Sequence, residues 1–338
     1  MLNIKVLKKE DTVRVLKMKD VIETIEEVYQ AQSAGAASIF PLITEDFVPG
    51  RAEMDIKSGW LKDEQIFGLK VVTWFEDNEK AGLPALLGTI LVFDAETGAP
   101  IGLVDGSHIT GIRTGAAGAI GAKLLAKEDS KTLLVIGAGH VATFQVAATL
   151  LSFPDMENVM IYDGLAPDNA ERFVSGIRET LKRDFDMGDV KAEFTAVKDI
   201  ASATAKSDII ITVTPSREPI IKKEWVRPGT HFSCIGSDMS GKEEIDPEIF
   251  ADAKVFVDDI AQCIDVGEIE IPIKKGILRE ENITGVIGDI ITGKASGRDS
   301  GEQITVFDAT GTALLDLLTA MLAIKEAEKQ GLGQTIEL

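Results

Sequence analysis

The chain is poor in the residues that build metal and redox centres: 338 residues include two cysteines and three histidines. Cys234 and Cys263 have no CxxC spacing, which argues against a zinc site or a disulfide framework and suits a reducing compartment. Cys234 lies in the apolar run HFSCIG and is expected to be a buried small hydrophobe rather than a nucleophile. His108, His140 and His231 form no metal-ligand cluster, so no metal is expected. Positive charge is scarce as well: 35 Lys and Arg stand against 55 Asp and Glu, a formal net charge of −20. A field of that sign repels phosphate backbones and anionic lipid, which excludes general nucleic-acid or membrane-surface binding. No run reaches ~18 uninterrupted apolar residues, and the N-terminal segment lacks the apolar core of a signal peptide. A cytoplasmic protein is expected. There is no internal repeat and no low-complexity tract.

What is present changes texture twice. Asp20 to Ala34 carries apolar residues at Val21, Ile22, Ile25, Val28 and Tyr29, a helical stripe. RAEMDIKSGWL, IFGLKVVTWF, GTILVFD and APIGLVDG then follow without helices between them, which predicts an antiparallel meander. From KTLLVIG onward, short apolar runs alternate with helical segments, the pattern of a parallel sheet covered on both faces. Past about residue 300, TALLDLLTAMLAIKEAEKQ predicts a further buried helix. Length and texture together imply two domains of an α/β protein.

The strongest local signal is KTLLVIGAGHVATFQVAATL. Gly137, Gly139 and Ala142 form G-x-G-x-x-A between an apolar strand and a helix. The first glycine permits the tight turn, the second lets the backbone approach a pyrophosphate, and the alanine allows close helix–strand packing. His140 and Val141 complete the loop. The next strand, NVMIYD, ends in Asp163, whose carboxylate suits an adenosine ribose and repels a 2′-phosphate. No arginine follows within GLAPDN, so NAD is favoured over NADP.

GIRTGAAGAIGAKLLA is a decoy for the same search. Its glycines fall every third residue, but no apolar strand leads into them. The segment predicts a helix starting near Thr114 as N-cap, with Gly115, Gly118 and Gly121 allowing close packing at a join between domains. Lys70 sits in the otherwise apolar IFGLKVV. A lysine inside a buried strand is costly unless paired, which marks it as functional.

Six ordered blocks resemble the ornithine cyclodeaminase/mu-crystallin family: GLKVVT, GIRTGAAGAIGAKLLA, IGAGHVA (with Val141 where the family usually has glutamine), TVTPSREPII, IGSDMSGKEEID and ITVFDATGTALLD. The resemblance covers nearly the whole chain. It implies a Rossmann-type dinucleotide-binding domain, about 113–305, inserted into an α+β substrate-binding and dimerisation domain built from 1–112 and 306–338, and a homodimer. It implies that Arg51, Arg113 and Lys70 hold a substrate α-carboxylate, a task suited to planar guanidinium groups, with Lys70 also assisting proton movement. Asp238 is implied as the acid/base, and Thr114, Thr214, Ser216, Thr310 and Gly311 as cofactor contacts. The implied chemistry is NAD-dependent oxidation of an L-amino acid to its imine. The first expectation is a cyclodeaminase converting L-ornithine to L-proline and ammonia, with Glu53 or Asp55 as partner for the terminal amine. Alternatives are an alanine dehydrogenase-like enzyme, a cyclic imine reductase, or a non-catalytic NAD(P)H- and small-ligand-binding protein.

Overall fold

A computed structural model describes residues 2–338. The chain forms two compact units, Met1–Arg113 with Thr312–Leu338, and Thr114–Gly311. The expected division fell at 113 and 305. The second boundary lies later because strand Thr305–Asp308 pairs with His231–Cys234 and Lys254–Val257 inside the second unit.

In the first unit, strands Ala52–Leu61, Ile66–Phe75, Leu86–Asp94 and Pro100–Asp105 form the expected antiparallel meander. Its hairpin turns through Gly98 at φ +72°. The sheet is mixed rather than purely antiparallel, because Asn3–Leu7 joins Pro100–Asp105 in parallel and also pairs with Gln334–Glu337. Helix Met18–Ser33 buries Val21, Ile22, Ile25, Val28 and Tyr29, the stripe seen in the sequence. It packs against helix Ala313–Lys329, which lies on the meander. Two glycines set how closely that helix approaches. Gly59 and Gly68 face each other across paired strands, and a Cβ on either would lie within 2.8 Å of Leu314 or Leu317.

The second unit holds an eight-stranded, all-parallel sheet. Its central strands Thr132–Ile136, Ile209–Thr212 and His231–Cys234 are buried apolar or small-polar runs, as a sheet covered on both faces requires. From Thr132–Ile136 the chain steps one way to Asn158–Tyr162 and Glu193–Ala196. It then returns to place Ile209–Thr212 on the other side of the starting strand. That reversal is the topological switch point at which open α/β sheets bind ligands.

The helix expected to begin at Thr114 runs Gly106–Leu125. Asp105 starts it, its Oδ1 accepting from the Ser107 amide at 3.0 Å. Arg113 and Thr114 are therefore mid-helix, and Thr114 is no N-cap. The close packing of the three glycines is internal to the second unit rather than at a join. A Cβ on Gly115 would meet the Phe144 backbone at 2.5 Å, one on Gly118 the Gln145 side chain at 2.1 Å, and one on Gly121 the Phe307 ring at 2.2 Å. Among the described residues no helix is long and apolar enough to cross a membrane.

Candidate functional site

In the first unit, three charged side chains meet in the interior. Lys70 Nζ lies 2.8 Å from Asp316 Oδ2, and Arg113 Nε donates to Asp316 Oδ1 at 3.1 Å. Lys70 also reaches Thr110 Oγ1 at 3.5 Å. The side chains of Lys70, Arg113 and Asp316 are 2%, 7% and 0% exposed. One carboxylate bridging two cations is what lets them be buried at all. Burial pushes the Lys70 ammonium down to about 7; Asp316 opposes this, while the charges of Arg113 and Lys57 add to it. For Asp316, burial works against the charged form, but Arg113 and Lys70 outweigh it and hold its carboxyl below the usual carboxylate range.

Arg51, expected beside them, stands elsewhere. It is half-exposed at the turn before strand Ala52–Leu61, bonded to Glu76 at 3.0 Å and Asp77 at 2.6 Å. Two carboxylates at the surface already satisfy its fork. A different cation joins the cluster's face. Lys57 is the direct cross-strand partner of Lys70 and is buried, at 7% exposure. Alternation along the strand places Glu53 and Asp55 on that same face, each partly exposed.

Asp316 and Lys57 escaped the reading of the sequence. Asp316 interrupts the apolar run ALLDLLTAML, the same anomaly that marked Lys70. Lys57 alternates with Glu53 and Asp55 and so resembles a solvated strand face; only its register against Lys70 distinguishes it.

In the second unit, a cavity of about 700 Å³ opens at the switch point, lined by Gly137–Gly139, Asp163 and Val213–Ser216 among others. Gly137 has φ +105°, and a Cβ there would sit 2.8 Å from the Val213 carbonyl oxygen. Gly139 has open space where a Cβ would point, and it begins helix His140–Ser152 with no side-chain cap. A helix start whose first-turn amides have no side-chain cap is a ready anion site. Ala142 is buried, Val141 half-buried, and the His140 ring lies edge-on to Phe144. Asp163 follows its strand as expected. Its carboxylate accepts from the amides of Ala138, Leu165 and Ala166, at 3.3, 3.1 and 2.9 Å. This donor set fits NAD: an amide cradle for the pyrophosphate and a fixed carboxylate at the ribose position.

Thr214 and Ser216 line the cavity, and buried Glu244 accepts from both the amide and hydroxyl of Thr214 at 2.7 Å. Thr310 and Gly311 are held by Asp258, which accepts from the Thr310 hydroxyl at 3.1 Å and the Gly311 amide at 2.7 Å. Thr114 accepts from Gln145 through its backbone carbonyl, at 2.9 Å. Asp238 lies beyond strand His231–Cys234, part-exposed and paired with Lys242. Both cysteines are free and buried, their thiols pushed well up by burial. Among the described residues no group of three His, Cys, Asp or Glu is arranged to hold a metal.

These features have counterparts among known proteins. The alanine dehydrogenase of Archaeoglobus fulgidus is 34% identical over 332 residues, 98% of each chain. A solved archaeal alanine dehydrogenase dimer with bound NAD superposes with a TM-score of 0.90 over 100% of both chains, at 32% identity. The iminosuccinate reductase of Paracoccus denitrificans, solved with NAD+, does so with a TM-score of 0.90, at 30% identity, over 99% of this chain and 100% of that one. Their bound cofactor and the fit of the cavity make NAD the cofactor of this chain. The model of the ornithine cyclodeaminase/mu-crystallin family matches residues 3–331, and the chain belongs to that family.

Proposed function

We propose that this protein interconverts an L-α-amino acid and its α-imine, with NAD as the redox partner and net oxidation or reduction as the outcome. The observation that carries this reading is the buried Lys70–Asp316–Arg113 cluster. Buried cations in a fork-and-point arrangement are suited to a carboxylate. The cavity lined by Gly137–Gly139, Asp163, Thr214 and Ser216 would hold NAD, which would supply the acceptor for the hydride on the substrate Cα, so that amino acid and NAD+ would give imine, NADH and a proton.

The chain's own residues supply the rest. Arg113 and Lys70 hold the α-carboxylate, and Asp316 fixes both cations. Because burial brings the Lys70 ammonium to about 7, its Nζ can hold or release a proton near neutrality beside the substrate amine. Asp238 acts as acid/base for amine and ammonia, and Thr114, Thr214, Ser216, Thr310 and Gly311 serve the cofactor. Water adds to the imine and ammonia leaves, giving an oxo acid. The relatives named for alanine and iminosuccinate support net redox chemistry.

A second reading has one observation in its favour. Glu53 and Asp55 share the face of Lys70 and offer a terminal amine a partner, as cyclodeamination of ornithine needs. Incubation with NAD+ and single L-amino acids, with ammonia, NADH and proline measured together, separates the two. Equimolar ammonia and NADH supports the proposal. Proline and ammonia from ornithine without NADH supports the second reading, and silence with every amino acid sinks both. Asp238→Asn is expected to keep NAD binding and lose turnover; normal turnover removes Asp238 from the mechanism.

We also propose a homodimer in a reducing, cytoplasmic setting. The first unit exposes Phe40, Ile43, Phe47 and Val48 along one edge, an apolar strip that a second copy would cover. A monomeric mass by light scattering would refute it.

A further inference from the structure

Strand register brings two lysines together. Lys57 and Lys70 are direct cross-strand partners, so their side chains leave the sheet on the same face with Cβ atoms about 5 Å apart. Both are buried, at 7% and 1% exposure. Like charges directly opposite each other destabilise a sheet, and burial removes the water that would screen them. Asp316 brings one negative charge to Lys57, Lys70 and Arg113, so these four side chains keep net positive charge and are suited to a ligand carrying negative charge. Lys57 acts on the cluster already: its charge opposes protonation of Lys70 and favours the ionised Asp316.

On the reading that Lys70 and Arg113 hold the α-carboxylate, Lys57 faces the next part of the substrate. We propose that Lys57 selects the substrate side chain, making the site one for an α-amino or α-imino acid with a second carboxylate and rejecting a side chain that ends in ammonium. The separation of paired strands suits a four-carbon diacid, whose carboxylates would lie on Lys70 and Lys57 in turn. Glu53 and Asp55 do not reverse this preference. Asp55 lies one pleat and Glu53 two pleats along the strand from Lys57, each pleat about 7 Å, and both are partly exposed. A terminal ammonium reaching toward them must first pass Lys57.

The test measures binding alone, by calorimetry on the full chain saturated with NAD+, using three unreactive acids: succinate, butyrate and 4-aminobutyrate. Succinate is expected to bind at least tenfold more tightly than butyrate, and 4-aminobutyrate most weakly. Lys57→Met should bring succinate down to the level of butyrate, while Lys57→Arg keeps the preference; circular dichroism confirms that both variants fold. Equal binding of all three acids by the unaltered protein overturns the proposal, as does no binding of any acid. So does an equal loss for succinate and butyrate in Lys57→Met, which would make Lys57 a holder of the α-carboxylate. Failure of the wider reading has a different signature. Lys57-dependent succinate binding without NADH from any amino acid sinks the enzymatic assignment only. Turnover that prefers ornithine to aspartate sinks the role of Lys57 only.

Discussion

Replacing Asp316 with asparagine keeps the shape of the cluster and removes the negative charge that bridges Lys70 and Arg113. Lys70 and Arg113 would then face each other in a space less than a tenth exposed. Removing one partner of a buried ion pair costs about 3–5 kcal/mol, because the other charge is left uncompensated. With two cations orphaned, Asp316→Asn should reach the upper part of that range while Lys70 stays charged. Lys70 has a way out. Its ammonium titrates at about 7 with Asp316 present, and loss of that carboxylate removes the charge that most opposes the downward shift. In the variant Lys70 therefore sheds its proton at a lower pH than in the parent. The cost is full where both proteins keep the proton and falls as pH climbs toward 7, across the window where only the variant has lost it. Equilibrium urea unfolding at pH 5.5 and pH 8 should show the larger destabilisation at the lower pH. In a double-mutant cycle, Lys70→Met with Asp316→Asn should cost less than the two single changes added together. A loss below about 1 kcal/mol at both pH values, or strict additivity, would refute the picture of one carboxylate sustaining two buried cations.

A buried acid in the second unit gives a prediction of opposite form. Burial and the nearby charge of Asp258 push the Asp308 carboxyl up to about 8, whereas an unfolded aspartate ionises at about 4. The folded chain holds the extra proton between these values, so this group makes stability fall as pH rises across that window, by up to about 1.4 kcal/mol per pH unit. Asp308→Asn should lessen the slope, and urea midpoints that keep the parent's full pH dependence would contradict it. Gly121→Ala sets helix propensity against packing. Alanine gains up to about 1 kcal/mol in a helix, yet its Cβ would lie 2.2 Å from the Phe307 ring, and overpacking costs about 1–3 kcal/mol. A lower melting temperature is expected, and an unchanged or higher one would mean that the ring yields freely. Asp163→Ser should relax discrimination against NADP by removing the carboxylate at the ribose position. Titration of both cofactors by fluorescence checks this, with an unchanged NAD:NADP affinity ratio as the contrary result.

How far the sequence reveals the molecule depends on the range of the interaction. The turn around Gly137 is written locally, because strand, glycines and helix adjoin and its positive φ and the nearby Val213 carbonyl exclude a side chain. The start of helix Gly106–Leu125 was missed because DGSHIT is polar. Its signal was nonetheless present in the capping Asp105 and in Ile109, Ile112, Ala116 and Ala119, all buried at helical spacing. Arg51 was chosen by residue type near an expected position, but its charge is answered by Glu76 and Asp77 in the short 3-10 helix that follows strand Ile66–Phe75. Lys57 becomes meaningful only once two strands are in register, and composition carries no register. Asp316 could have been found from its own neighbourhood, by asking why an aspartate sits among leucines. Which cations it serves could not, since its partners lie in a distant stretch of chain.

That separation has a consequence for how the protein is made. Arg113 precedes the carboxylate it needs by 203 positions, and Lys70 precedes it by more. During synthesis the whole of Thr114–Gly311 emerges before Asp316 does, and it contains every strand of the parallel sheet. The second unit can therefore assemble on the ribosome while the first waits with a lysine and an arginine lacking the aspartate that pairs with both. Closure of the first unit waits for the segment Thr312–Leu338, which follows the whole second unit in the chain. Until then Lys70 and Arg113 lack the carboxylate that both are paired with in the finished fold.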